Sequence, residues 1–368
     1  MQAQKWFETR AALRHAFLTA EGWGDAALVP VGEDSAMRRY FRLSRAQPGQ
    51  AEERQSVILM EALPDGHALA TPGHSMNDFI RYSAYLRAIG IAAPEVYAVD
   101  REEGYLLIED FGDVSFKKAL EQNPGQSEDL YALATDILSW LRQNGKHGDD
   151  LPDYYKSHVH TGRRRVVDWY IPAMRAAKNP DGLVEDYLAV WDRIENSLDP
   201  VPRGILHIDY HFENLMLRDG QAGLARCGVL DFQGAMKGPL PYDLANLLED
   251  ARVDVPADLR DRMMDRYCST MAPAERDNFQ KWYRVLATQF HCRVIGQFIR
   301  LAVRDDKPRY LALIPRIEGY LREGLKDPVL RPLAEWFAAQ GIDFSPADSR
   351  NRVFRAEAIR PHIRPDAF

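Results

Sequence analysis

Residues 207–214 read HIDYHFEN, and a second acidic residue, Asp231, follows in an apolar stretch. The first segment places Asn214 five residues after Asp209. Phosphoryl transfer from a nucleotide uses three such groups. One carboxylate accepts the proton of the attacking hydroxyl, while an amide oxygen and a second carboxylate hold magnesium on the phosphates. We therefore predict that Asp209 is the catalytic residue and that Asn214 and Asp231 are Mg²⁺ ligands. A loop aspartate that only caps a turn is the alternative.

Other residues around this segment are candidates for supporting it. The spacing from His207 to Asn214 is that of the catalytic loop H-x-D-x-x-x-x-N. We predict that His207 supports the loop backbone and that His211 contacts phosphate or substrate. Asp243, which follows in the segment GPLPYDL, either caps a helix or bonds the loop backbone and fixes Asp209.

The composition is that of a globular protein with room for two lobes. The chain has 368 residues, of which 46% are hydrophobic and 27% are charged. A net charge of −7 argues against a nucleic-acid partner. The N-terminus lacks the apolar core of a signal peptide, no apolar run suits a membrane span, and the three cysteines form no C-x-x-C pair. We expect a cytoplasmic protein without a membrane partner, and its oligomeric state cannot be read.

Short extended stretches separated by turn residues predict a small antiparallel sheet near the N-terminus. They lie at about 27–31, 39–43, 57–60, 95–100 and 104–109. A helix at about 75–89, opened by Ser75, separates the third stretch from the fourth. Beyond residue 111 the pattern is mostly helical, apart from residues 207–214 and a hairpin of 215–217 with 228–231. The predicted fold class is α+β with two lobes. Residues 1–111 would form a nucleotide-binding lobe and residues 112–368 a catalytic and acceptor-binding lobe, with nucleotide in the crevice between them.

Two segments are candidates for binding the nucleotide. Glu109 and Phe111 lie where the lobes join, where an adenine ring needs backbone hydrogen bonds and apolar walls. Packing in a strand core is the alternative for the apolar residues there. Ser35 and the amides around it, between the first two strands, could bind phosphate oxygens, and a polar turn is the competing interpretation.

One group that phosphate binding normally needs is absent from the sequence. No lysine occurs between Lys5 and Lys117, and Met60 stands where a phosphate-binding lysine would lie on the third strand. An arginine at position 38, 39 or 42 could supply the charge. Among these we prefer Arg39.

A helix late in the chain offers a candidate acceptor surface. At about 100° per residue, one stripe contains Gln289, Arg293, Gln297, Arg300 and Arg304. Arginines and amides suit sugar hydroxyls and a carboxylate better than they suit a cation. Arg293 and Arg300 are therefore candidate substrate residues. A solvated face paired with acidic neighbours is the alternative.

With these motifs in view, the chain resembles the aminoglycoside phosphotransferase/choline kinase group. Within it, the chain is most similar to the bacterial kinases that act on the anomeric hydroxyl of N-acetylmuramic acid and N-acetylglucosamine. The resemblance rests on the segments DSAMRRYFR at 34–42, LIEDFG at 107–112, LDFQ at 230–233, YDL at 242–244 and GQFIRL at 296–301.

The resemblance implies a protein-kinase-like fold that uses ATP and Mg²⁺, with an amino sugar as substrate, in cell-wall sugar recycling. Gly234, Phe290 and Arg293 depart from the pattern near the acceptor side. These departures leave a choline kinase and an aminoglycoside kinase open as alternatives. The missing lysine leaves open a third, a nucleotide-binding pseudokinase that regulates a partner.

Overall fold

The computed structural model of the chain describes residues 7, 9–31, 38–47, 50–64, 67, 75–145, 150–345 and 354–367. The chain divides into two units. The first, called the sheet unit, comprises Met1–Ile137 and Phe212–Ala235. The second, called the helical unit, comprises Leu138–His211 and Met236–Phe368.

The sheet unit is built on five antiparallel strands in the order β1-β2-β3-β5-β4. The strands are β1 (Val29–Pro30), β2 (Arg38–Gln47), β3 (Gln50–Ala62), β4 (Val96–Asp100) and β5 (Tyr105–Glu109).

The register of this sheet decides which side chains share a face. Tyr40 pairs with Met60, and Met60 pairs with Leu106. Directly opposed residues of antiparallel strands point to the same face, and neighbours along a strand point to opposite faces. One face therefore carries Tyr40, Met60 and Leu106. The other carries Leu43 and Leu59, which belong to a buried apolar cluster.

Helices also begin in the described part of the sheet unit. They are α1 (Ala11–Ala20), α2 (Met76–Ala88), α3 (Phe116–Gln122) and α4 (Ser127–Asn144), which continues into the helical unit. Ser75 caps α2 by accepting from the backbone N–H of Asp78, whose carboxylate accepts in return from Ser75. The prediction of a helix opened by Ser75 is confirmed.

A second hairpin completes the sheet unit. It pairs β7 (Leu215–Leu217) with β8 (Cys227–Val229). Gly228 lies against Phe111, since a Cβ at position 228 would come within 2.4 Å of the Phe111 ring. The strand ends at Val229, earlier than predicted, because Asp231 adopts a left-handed backbone conformation with φ of 58°.

The helical unit consists mainly of helices around one long helix, α10. Among the described residues, the other α-helices of this unit are α5 (His158–Thr161), α6 (Ile171–Arg175), α7 (Leu183–Asn196), α8 (Pro241–Leu248), α9 (Ala257–Cys268), α11 (Ile314–Gly324), α12 (Arg331–Ala339) and α13 (Ala356–Ile359). Helix α10 spans Pro273–Arg304 and buries side chains such as Leu286, Ile295 and Ile299 in the core of the unit. A two-stranded sheet pairs β6 (Arg203–Leu206) with β9 (Met236–Pro239).

The predicted fold class is confirmed, with an antiparallel sheet near the N-terminus and a mostly helical remainder. Among the helices in the described ranges, none is both long and apolar enough to cross a membrane.

Candidate active site

In the helical unit, the loop that follows β6 makes a sharp turn just before Asp209. Ile208 has a φ of 80°, which is unusual for a β-branched residue and costs free energy. Two side chains from α8 hold this backbone. The Asp243 carboxylate accepts from the N–H groups of His207 at 2.5 Å and of Ile208 at 2.9 Å, and the Asn246 amide donates to the Ile208 carbonyl at 2.7 Å. Both backbone polar groups of Ile208 are thus held by side chains of α8.

Asp243 is an almost fully buried carboxylate. Leu240 occupies the N-cap of α8, so Asp243 lies in the first turn and bonds the loop instead of capping the helix. Burial raises the pKa of Asp243 to about 6, although the charge of His207 and the two backbone bonds oppose that rise. The carboxylate that clamps the loop therefore titrates closer to neutral pH than an ordinary aspartate.

Asp209 is an exposed residue. Partial loss of hydration favours a higher pKa for Asp209. The positive charges of His211, Arg293 and Arg252 outweigh that effect, and the pKa of Asp209 is lowered. Asp209 is thus ionised at neutral pH. An ionised carboxylate held on a fixed turn can accept a hydrogen bond from a hydroxyl group.

The two histidines of this segment are both buried. The His207 ring stands edge-on to Tyr210, with ring centroids 5.4 Å apart, while its backbone N–H bonds Asp243. His211 lies near enough to Asp209 to lower the pKa of that carboxylate. The structure therefore puts His207 beside the loop clamp and His211 beside the predicted catalytic residue.

In the sheet unit, the hairpin brings Asn214 and Asp231 together. The Leu230 N–H donates to the Asn214 carbonyl at 2.9 Å, which continues the β7–β8 ladder by one step. Asp231 is the next residue, and its carboxylate accepts from the Gln233 amide. An amide oxygen and a carboxylate oxygen at one end of a hairpin match the hard oxygen donors that Mg²⁺ prefers.

Strand β2 presents its arginines to opposite faces of the sheet. Arg39 lies on the face of Glu61, its register partner, and its guanidinium stacks over Phe7 at 4.8 Å. Burial raises the pKa of Glu61, and the charges of Arg14 and Arg39 oppose the rise. Arg39, which we preferred as the phosphate-binding charge, is therefore engaged with a buried carboxylate.

Arg38 lies on the other face, with Tyr40 and Met60. Burial raises the pKa of Tyr40, while a hydrogen bond and the charge from Arg38 oppose the rise and the charge of Asp231 adds to it. Arg38, Tyr40 and Asp231 are therefore near neighbours. The missing lysine pointed to an arginine on β2, but the sequence alone left the face of each arginine unresolved.

Arg42 also lies on this face and is tied to the segment after β5. It contacts Asp110 at 2.6 Å and Asp113 at 2.5 Å, and it donates to the Gly112 carbonyl at 3.0 Å. These bonds hold residues 110–113 against strand β2.

The residues predicted to bind the nucleotide base lie at the end of β5. The Glu109 carboxylate accepts from Arg218 at 2.7 Å and from Arg87 at 3.3 Å. Arg218 also stacks over the Phe111 ring at 4.5 Å. Both predicted residues are thus anchored by Arg218 from the β7–β8 hairpin. Ser35 lies outside the described residues.

On α10, the residues of the predicted polar stripe differ in their bonding partners. Gln289 bonds Glu195 at 2.6 Å, and Arg304 bonds Asp305 at 2.6 Å. These two pairs agree with the alternative interpretation of a helix face paired with acidic neighbours. Arg293 donates to the Tyr242 hydroxyl at 3.0 Å and acts electrostatically on Asp209. Arg300 lines a cavity of about 310 Å³.

Arg165, which also lines that cavity, was not predicted from the sequence as a site residue. Arg165 lines the cavity with Arg300 and lies close to Arg293. Within the sequence, Arg165 was only one member of a run of three arginines. Asn246 was missed as well, because nothing in the local sequence shows that it contacts the loop before Asp209.

Comparison with known proteins places this chain among phosphate-transferring enzymes. The model of the phosphotransferase enzyme family matches residues 28–282. The N-acetylmuramate/N-acetylglucosamine kinase of Caulobacter vibrioides is 30% identical over 357 residues, covering 89% of this chain and 96% of that protein. The protein of the same name from Pseudomonas aeruginosa is 31% identical over 330 residues, covering 87% and 91%.

Solved structures share the fold at low sequence identity. An ADP-bound aminoglycoside phosphotransferase, APH(2'')-Ib, superposes with a TM-score of 0.54 at 14% identity and covers 84% of this chain and 97% of its own. The choline kinase LicA from Streptococcus pneumoniae superposes with a TM-score of 0.52 at 12% identity, covering 85% and 100%.

Proposed function

The chain belongs to the phosphotransferase enzyme family, and from that premise we propose that it transfers the γ-phosphoryl group of ATP to the anomeric hydroxyl of N-acetylmuramic acid, N-acetylglucosamine or both. The observation that carries this proposal is the ionised Asp209 carboxylate on a turn clamped by Asp243 and Asn246. The two relatives of about 30% identity, which cover most of the chain, support the choice of acceptor.

Asp209 is the residue that meets the acceptor hydroxyl. Its carboxylate accepts the hydrogen bond of that hydroxyl and points the oxygen lone pair at the γ-phosphorus. A bond forms between the acceptor oxygen and phosphorus as the bond between phosphorus and the ADP oxygen breaks, and the proton passes to Asp209. An anomeric hydroxyl is more acidic than an ordinary alcohol, so orientation is the larger part of this role.

Asn214 and Asp231 are the residues that would hold Mg²⁺. Their fit rests on the donor set and on the ladder bond between Leu230 and Asn214, since Asp231 is the residue after Leu230 at that end of the hairpin. When bound, the ion neutralises negative charge on the phosphates. The bond from Gln233 orients the Asp231 carboxylate.

Arg38 is the residue we assign to the phosphate charge that the missing lysine would supply. It shares a sheet face with Tyr40 and with Met60, which occupies the lysine position, and Asp231 acts on the same Tyr40. Arg39 points to the opposite face, where its charge compensates Glu61. Glu109 and Phe111 keep their proposed role beside the adenine, with Ser35 beside the phosphates. We keep residues 1–111 as the nucleotide-binding part and 112–368 as the part for catalysis and acceptor binding.

A coupled assay for ADP release tests the proposal. Purified protein with Mg-ATP would be offered N-acetylmuramic acid, N-acetylglucosamine, choline and an aminoglycoside in separate reactions. We expect ADP release that depends on one or both amino sugars. Turnover with choline or the aminoglycoside alone would move the proposal to those acceptors. Binding of ATP without ADP release in any reaction would favour a pseudokinase.

A further inference from the structure

Two arginines from different elements lie side by side in the helical unit without a carboxylate bonded to either. Arg293 lies on α10, and Arg165 directly precedes a π-helical turn, Val166–Tyr170. Within the described ranges, the side chain of Arg165 makes no hydrogen bond or ion pair, and that of Arg293 bonds only the Tyr242 hydroxyl. Two adjacent guanidinium groups repel each other, so this arrangement costs free energy unless an anion joins them.

Two glycines make this approach possible. A Cβ on Gly296 would lie 2.1 Å from the Arg165 carbonyl oxygen, so only glycine lets the segment before the π-helical turn press against α10. A Cβ on Gly162 would lie 3.0 Å from Arg293 Cδ and 3.3 Å from Arg165 Nη1. The backbone is thus shaped to bring the two arginines together.

The carboxylate beside Arg165 already has a partner, and the carboxylate that acts on Arg293 is that of Asp209. Asp168, next to Arg165, is held by Arg164 through bonds of 2.8 and 2.9 Å. Burial and the neighbouring charge of Arg293 together lower the pKa of Arg165 to about 10, and Asp168 only partly opposes the shift. The pair retains positive charge that a ligand carboxylate can satisfy.

The arginine pair lies within electrostatic reach of the predicted catalytic residue. Arg293 lowers the pKa of Asp209, and Arg165 opens onto the cavity of about 310 Å³ that Arg300 also lines. Pockets for small ligands begin at roughly this volume. An acceptor with its hydroxyl at Asp209 could therefore place an acidic substituent toward the arginines.

We propose that Arg165 and Arg293 together bind a carboxylate of the acceptor, which makes N-acetylmuramic acid, with its lactyl group, preferred over N-acetylglucosamine. This inference rests on the proposed function. The two sugars differ in that lactyl group, so their comparison isolates the carboxylate.

The test compares the two sugars in wild-type protein and in Arg165→Gln. The first readout is the ratio of kcat/KM for N-acetylmuramic acid to kcat/KM for N-acetylglucosamine, which is insensitive to the fraction of folded enzyme. We expect Arg165→Gln to lower this ratio by roughly 10- to 100-fold, because a charge-assisted hydrogen bond contributes about 1.5–3 kcal/mol. The second readout is calorimetric binding of each sugar without nucleotide, in which the affinity for N-acetylmuramic acid should fall in the variant.

Arg304→Gln is the matched control, because Arg304 lies on α10 in the same polar stripe as Arg293 but is bonded to Asp305. It should leave the ratio within about threefold of the wild-type value, a change below roughly 0.7 kcal/mol. An unchanged ratio in both Arg165→Gln and Arg293→Gln would overturn the inference. Wild-type protein that phosphorylates neither sugar would contradict the proposed function alone. Calorimetry would then decide the inference, which fails if Arg165→Gln binds N-acetylmuramic acid as the wild type does or if the wild type does not bind it.

Discussion

The Asp243 carboxylate accepts the backbone N–H of Ile208 at 2.9 Å and so holds that residue at a φ of 80°. A β-branched residue adopts this conformation only where its surroundings compensate a cost on the order of 1–3 kcal/mol. Asp209 is the next residue along the chain. The position of the predicted catalytic carboxylate therefore depends on a side chain that need not touch either substrate.

Asp243→Asn is expected to lower kcat by roughly tenfold while changing the KM for ATP by less than about threefold. An amide can accept one of the two backbone bonds, but its NH₂ group faces the other N–H donor, so the turn relaxes at a cost of about 1–2 kcal/mol. Steady-state kinetics with varied ATP measures both constants. An unchanged kcat would show that the clamp is not needed for turnover.

The raised pKa of Asp243 also predicts a pH dependence of stability. Its folded-state pKa of about 6 exceeds the ordinary value of about 4, so the folded protein binds the proton more tightly than the unfolded chain does. The free energy of unfolding that Asp243 contributes is highest below about pH 4, falls as pH rises to about 6, and is level above it. Two pKa units correspond to on the order of 2–3 kcal/mol.

Urea unfolding of the wild type and of Asp243→Asn at several pH values tests this pH dependence of stability. The free energy of unfolding of the wild type minus that of the variant should decrease between about pH 4 and pH 6. A difference that is constant, or that grows with pH, would contradict the buried state of this carboxylate.

Arg38→Met and Arg39→Met are expected to have different effects although the residues are adjacent. Arg38→Met should raise the KM for ATP and the Kd of a fluorescent ADP analogue by about tenfold or more, since a charge-assisted bond to phosphate is lost. Arg39→Met should leave both near their wild-type values and lower the melting temperature instead, because buried Glu61 loses a compensating charge. Weaker nucleotide binding in Arg39→Met alone would return the phosphate role to Arg39.

Much of the fold is predictable from sequence because it depends on local patterns. Alternating apolar residues and turn signals marked the strands, and Ser75 marked the start of α2. Which arginine of β2 faces the phosphate was harder to predict, because a shift of one residue along a strand moves a side chain to the opposite face. Only the register of Tyr40 with Met60 distinguishes Arg38 from Arg39.

The contacts that shape the helical unit are long-range, and short motifs do not encode them. Asn246 reaches Ile208 across 38 positions of sequence, and Gly296 admits the backbone of Arg165. The motif from His207 to Asn214 predicted a phosphotransferase, because its residue types and spacing are those that phosphoryl transfer uses. The clamp behind it and the arginine pair beside it needed the structure.

Asp231→Asn is expected to weaken the dependence of turnover on Mg²⁺. Loss of one carboxylate charge should raise the Mg²⁺ concentration for half-maximal rate by at least about tenfold and lower kcat by about 100-fold or more. The matched control is Asp219→Asn, an exposed residue in the turn of the same hairpin, which should behave as the wild type does. A wild-type Mg²⁺ response in Asp231→Asn would remove this residue from the metal site, as would full activity of the wild type in EDTA.

Phosphorus NMR of wild-type protein with Mg-ATP and each amino sugar is the most direct test of the central claim. We predict a new sugar phosphate signal that carries coupling to the anomeric proton, together with ADP. Asp209→Ala, checked by circular dichroism to be folded, should give no such signal within the same time, because loss of a positioned base costs about 10²- to 10⁴-fold in rate. A phosphate on any other hydroxyl, or full activity of the folded Asp209→Ala variant, would contradict the claim that Asp209 directs phosphoryl transfer to the anomeric oxygen.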